Sequence, residues 1–288
     1  MFSGYIQSAM IAGMNGRSGL AAWRWVFIFD GVSTIVIAGY GFVFFLDTPD
    51  RTKAFYLSAQ EKTRCVVSIG PGMGHVDRRW RQEETRFSLD LFKRTVNTWQ
   101  LYVLTILWCF WNTTVGKFAN TVAQLFLSND PDHKWSLYEV NNIPTSINGF
   151  KIIMVLFLNT YIDITGYRMK AVALNLTILL FGTICPVTWS IPLGLKIASY
   201  MFAGLDGPLS PIFYAWANIL TTGDAQVRAL TLAIMNSCGA ALTTVIRQFL
   251  YPITDAPKFG KGFKASLSFL VGMCIWVIVV RVFVSRSK

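Results

Sequence analysis

From Trp25 to Leu46 the chain runs for 22 residues with a single charged side chain, Asp30. About 20 such residues cross the hydrocarbon of a bilayer as a helix. Seven further apolar segments accompany this one, at 2–14 (short), 98–118, 143–162, 171–190, 194–217, 229–251 and 265–285. In lipid every backbone N–H and C=O must be satisfied internally, so only helices and closed barrels span. Runs this long select helices. The expected class is an all-α polytopic membrane protein with eight transmembrane helices. Composition agrees, with 53% hydrophobic residues and only 14% charged, where a soluble domain carries about 25% charged residues.

The one long connection, 47–97, holds ten Lys/Arg and seven Asp/Glu. Within it Ser58 and Glu61 stand at capping-box spacing, which predicts a short surface helix. Basic residues set orientation. If 47–97 is cytoplasmic, alternate connections place sixteen basic residues on that side and eight on the other, with both termini cytoplasmic. The formal charge of +11 then reflects topology, and no nucleic-acid partner is expected. No cysteine or histidine pair has metal-ligand spacing, and the spans hold no paired nucleophile and base, so neither a metal site nor an enzyme is expected. The start, MFSGYIQSAM, has no basic n-region and is not read as a signal peptide. The N-x-[ST] matches at Asn112 and Asn175 fall inside spans, where glycosylation is not expected.

Two spans, a charged loop and six spans in close succession have the layout of the second half of a twelve-span transporter. The stretch FSGYIQSAM…NGRSGLAAWRWVFIFDGVSTIVIAGYGFVFFLDTPD resembles helices five and six of the fungal allantoate/pantothenate/vitamin H permeases, proton-coupled carboxylate symporters of the major facilitator superfamily. The likeness continues through NNIPTS at 141–146, FYAWANI at 213–219, VRALTLAIMN at 227–236 and FLYPITDAPKFGKGF at 249–263, and is strongest to the pantothenate transporters. DITGYRMK resembles the superfamily's cytoplasmic loop motif, with Asp163, Gly166 and Arg168 at its spacing and Asn159 where a glycine is usual. The resemblance implies a plasma-membrane symporter for a small organic anion, with the proton as coupling ion and no other cofactor. It also implies a major facilitator fold lacking its first four helices: 1–46 as the last two helices of the N-terminal bundle, 47–97 as the central loop and 98–288 as the C-terminal six-helix bundle.

Transporter sites lie near the bilayer midplane beside interrupted helices. In MFAGLDGPLSPIFYAWAN, Gly204, Gly207, Pro208 and Pro211 interrupt the sixth span, with Asp206 at the centre of the break. Asp206 is the candidate proton acceptor, or else a cap for freed amides or the partner of a cation. Lys151 lies deep in its span and either pairs with Asp206 or meets an anionic substrate. Arg247 is either a substrate clamp or a side chain snorkelling to the outer headgroups. Asn148, Tyr214 and Trp216 are further candidates, with Asn218, Asn236, Trp108 and Trp111 as neutral groups. Lys117 is expected at the interface. Asp163 and Arg168 are expected to form a conformational latch. Asp30 is expected to be architectural, satisfied by a neighbouring helix or by Arg24.

Two functional classes follow. One is a transporter of pantothenate or a related carboxylate such as biotin, allantoate or nicotinate. The other is a non-transporting truncated membrane protein, with a full-length relative as its partner in the bilayer.

Overall fold

The computed structural model describes residues 3–45, 55–68 and 89–286, and those residues form helices joined by turns, with no strand among them. The helices are α1 (Ser3–Met14), α2 (Ala22–Phe44), α3 (Ala59–Ser68), α4 (Leu89–Val96), α5 (Trp99–Thr113), α6 (Ala119–Ser128), α7 (Leu137–Thr165), α8 (Arg168–Thr188), α9 (Leu193–Ala203), α10 (Leu209–Leu220), α11 (Ala225–Leu250) and α12 (Gly260–Arg286). Five of them (α2, α7, α8, α11 and α12) are long and apolar enough to cross a membrane.

The chain divides into two compact units, Met1–Ser8 with Asp90–Lys288, and Ala9–Leu89. In the smaller unit, α2 is preceded by a turn in which Asn15 Oδ1 accepts from the Ala22 amide at 3.2 Å. Ala22 is the only buried residue of α2. The predicted capping box is present: Glu61 N donates to Ser58 Oγ at 3.3 Å and Ser58 N donates to Glu61 Oε2 at 2.9 Å, at the head of α3. Most of the remaining 47–88 connection lies outside the described residues.

In the larger unit two predicted spans are discontinuous. The segment at 194–217 breaks where its glycines and prolines foretell: α9 stops at Ala203, α10 starts at Leu209, and Asp206 lies between. The segment at 98–118, expected as one helix, is also broken. α5 ends at Thr113, a 3-10 turn covers Val115–Lys117, and α6 continues the span to Ser128. At about 1.5 Å per residue, each half-helix is some 15–22 Å long, so both breaks sit near mid-span. α7 is continuous across 29 residues, with Lys151 at its centre. Its start is fixed by a full capping box between Ser136 and Glu139, its end by Gly166 at φ 71°, the left-handed region.

Packing sorts the connections into two ends. Asp130, His133, Trp189, Lys196, Pro257 and Lys258 line one cavity, so the 129–136, 189–192 and 251–259 connections share an end. Gly166–Lys170, Trp216 and Arg281 line another. Arg94 at the head of the unit bonds Asp224 at 2.9 Å. Asn112 and Asn175 are both buried, which agrees with leaving their glycosylation motifs unused.

The bundle has two apolar cores rather than one. The first gathers Leu104, Leu107, Val172, Leu179, Leu209, Phe213 and Met273; the second gathers Phe118, Phe126, Ile147, Tyr200, Phe259 and Phe263. Where the two helix breaks meet, the packing turns polar.

Candidate functional site

The broken span leaves carbonyls without helical partners, and in a membrane these are costly unless other groups reach them. Two side chains from neighbouring helices do so. Asn175 Nδ2 of α8 donates to Leu205 O at 3.0 Å, and Trp111 Nε1 of α5 donates to Asp206 O at 3.1 Å. The Asp206 side chain, 2% exposed, meets Lys151 Nζ at 2.7 Å. The buried carboxylate and the partly buried ammonium are thus in direct contact. Lys151 Nζ also donates to Gly116 O at 3.4 Å, a carbonyl freed by the other break.

Two glycines make room for this pair. A Cβ at Gly116 would lie 2.6 Å from Asp206 Cβ, and one at Gly207 would lie 2.7 Å from Lys151 Cγ. Both are far inside contact distance, so the breaks abut backbone against side chain. Lys117, expected at the interface, stands beside them instead. The span runs ten residues beyond its predicted end, which moves Lys117 from a terminus to the break. Its side chain is exposed, and its Nζ lies 3.3 Å from the centre of the Trp111 ring. Two cations and one carboxylate therefore share one level of the bundle.

Around them, Asn120 Nδ2 donates to Asn148 Oδ1 at 2.9 Å. Tyr214 packs on Trp108 with ring centres 4.5 Å apart, and its hydroxyl reaches Asn236 Oδ1 at 3.5 Å. Trp108 Nε1 and Asn120 Oδ1 are buried and have no hydrogen-bond partner among the described residues.

The other sequence candidates lie elsewhere. Trp216 lines the cavity formed with Arg168 and Arg281; it stands in the second half of α10, beyond the break that holds Asp206. Arg247 is exposed in the last turn of α11, and Asn218 is exposed, donating to Tyr214 O at 2.9 Å. Asp163 and Arg168 are both exposed, and among the described ion pairs none joins them. Asp30 is exposed on α2, and Arg24 does not pair with it. Six residues at 100° each put the two on different faces, about 9 Å apart along the axis. The Arg24 guanidinium lies 5.2 Å from the Trp23 ring centre instead.

No family model matches the chain, and no solved structure does. Curated proteins do. The MFS transporter PfmaC of Pestalotiopsis fici is 33% identical over 278 residues, which cover 96% of this chain and 51% of that protein. The pantothenate transporter liz1 of Schizosaccharomyces pombe is 30% identical over 96% of this chain and 52% of its own length. The pantothenate transporter FEN2 of Saccharomyces cerevisiae is 30% identical over 98% and 54%. The chain spans about half the length of the curated relatives it matches.

Proposed function

Since the homologues of this chain are transporters of the major facilitator superfamily, pantothenate transporters among them, we propose that it carries a small organic anion, pantothenate or a close carboxylate, across the plasma membrane together with a proton. The relatives reported above are named as transporters. Both termini are placed in the cytoplasm by the balance of basic residues.

One observation carries the reading: a lysine and an aspartate pair at the meeting point of two broken helices, near mid-span. Buried charges are retained in membranes where they mark a substrate or ion path, and transporter sites favour such breaks. A proton that neutralises Asp206 frees the Lys151 ammonium, which then holds the substrate carboxylate. Loss of that proton on the opposite side of the membrane recharges Asp206, re-forms the pair and releases the anion. Lys117 adds a second cation beside the pair. With Asp206 neutralised, Lys117 and Lys151 present two positive charges to the anion. Trp108 Nε1 and Asn120 Oδ1 offer a donor and an acceptor to a substrate bearing hydroxyl and amide groups.

The test is uptake of radiolabelled pantothenate by a fungal strain lacking its own pantothenate uptake and expressing the chain, in acidic against neutral medium. Uptake rises in acid and collapses with a protonophore. Lys151→Gln lowers it at least ~10-fold, the loss of one charge-assisted contact worth about 1.5 kcal/mol. Uptake indifferent to both pH and protonophore rules out proton coupling.

A further inference from the structure

A cavity of about 480 Å³ lies at the end of the bundle opposite the 189–192 turn. Tyr167 lines it from the α7–α8 turn, Arg168 and Lys170 from the first turn of α8, Trp216 from α10, and Val280 and Arg281 from α12. Among the described residues that line it, three are cations and none is an acid. The cavity at the other end makes the contrast. It also measures about 480 Å³, yet there Lys196 and Lys258 are offset by Asp130 and Asp132. Nor is the cationic end short of acids that could have been used. Arg94 there takes Asp224 at 2.9 Å, while Asp163, two residues before the α7 C-terminus, is exposed and does not line the cavity.

Three like charges gathered round one hollow repel each other unless an anion lies between them. Arginine and lysine together recognise phosphate oxygens, the guanidinium by paired N–H groups and the ammonium as a point charge. Trp216 and Val280 give the hollow an apolar floor, and Trp216 lies four residues from the end of α10, at the depth where a bilayer's hydrocarbon gives way to headgroups. The hollow has the space of roughly sixteen liquid waters at about 30 Å³ each, enough for a phosphate with its attached polyol. Basic pockets between helix ends hold anionic headgroups in this way.

We propose that this cavity is a binding site for a phosphate-bearing anion, held by Arg168, Lys170 and Arg281 over Trp216, with the headgroup of an anionic phospholipid as its occupant. The site is separate from the Lys151–Asp206 pair and does not depend on transport.

The purified chain is titrated in neutral-detergent micelles with phosphatidylinositol 4-phosphate, and retained lipid is counted by native mass spectrometry. Phosphatidylcholine serves as the uncharged comparison, and inorganic phosphate as the competitor. Wild-type chain retains the phosphoinositide and not phosphatidylcholine. Arg168→Gln/Lys170→Gln/Arg281→Gln weakens retention on the order of 100-fold, three charges at about a fivefold loss each. Lys93→Gln/Arg228→Gln, which removes charge from the same end outside the cavity, leaves it unchanged. If the triple variant does not fold, each single variant reports the fivefold step. Displacement of the phosphoinositide by inorganic phosphate supports the site but assigns it to free phosphate. Equal retention by wild type and by the triple or single variants overturns the proposal, as does equal retention of phosphatidylcholine.

Discussion

Two carboxylates interrupt apolar spans in this chain, and they are held in opposite ways. Asp30 stands on an unbroken helix, exposed, with its backbone carbonyl accepting from Thr34 Oγ1 at 2.7 Å and no ion pair among the described residues. Asp206 stands between two half-helices, 2% exposed, against an ammonium at 2.7 Å. The contrast teaches that an acid in an apolar run is uninformative by itself. The backbone around it decides: a continuous helix satisfies its own polar groups and can leave the acid at its surface, whereas a broken one gathers donors, and the acid is buried among them.

Breaking the Asp206 arrangement has the largest expected effect. Lys151→Met strands a buried carboxylate, a defect worth about 3–5 kcal/mol, while Lys151→Met/Asp206→Leu regains most of it. Thermal unfolding in detergent measures both, and a double variant no better than the single would mean that the pair is not the source of the loss. Gly116→Ala comes next. It forces a methyl against Asp206 and costs about 1–3 kcal/mol by overpacking, whereas Gly39→Ala on α2, with nothing within 4 Å of its Cβ, leaves the midpoint in place or raises it. Asp30→Asn is expected to shift stability by less than about 0.5 kcal/mol, because no partner is lost. A fall as large as that of Lys151→Met would give Asp30 a partner after all and erase the comparison.

The smallest effect concerns a third acid in the smaller unit. The Ser58 backbone N–H, and then its hydroxyl, hold the Glu61 carboxyl below its ordinary value. A depressed carboxylate stabilises the fold above its unfolded pKa and loses that contribution as pH falls through the folded one. Amide protection factors in α3, taken relative to the intrinsic exchange rate at each pH, should therefore fall on acidification, and in Glu61→Gln they should lack this acid-dependent step.

How far the sequence disclosed these arrangements depends on what each signal encodes. Span positions follow from apolar length, which membrane solvation fixes strongly, and all eight segments correspond to helices or helix pairs. The α9–α10 break is written in two glycines and two prolines, which weaken a helix wherever it packs. The α5–α6 break has only Thr113-Thr114-Val115-Gly116-Lys117, residues a helix tolerates. It is imposed by tertiary packing against Asp206 and Lys151, so Lys117 was placed at a span end that does not exist. Trp216 follows Asp206 closely in sequence, yet the helical rise carries it to a different cavity. Arg24 and Asp30 attract on paper, and helix phase separates them.

Lys151 has fourteen residues of α7 on either side, about 21 Å of rod each way, and its side chain is tethered to two neighbouring breaks. A rod held at its middle behaves like a beam on a pivot. A tilt of about 10° swings each tip by roughly 4 Å, one inward as the other moves out, so the α7 tips at the two ends of the bundle cannot both move in on that pivot together.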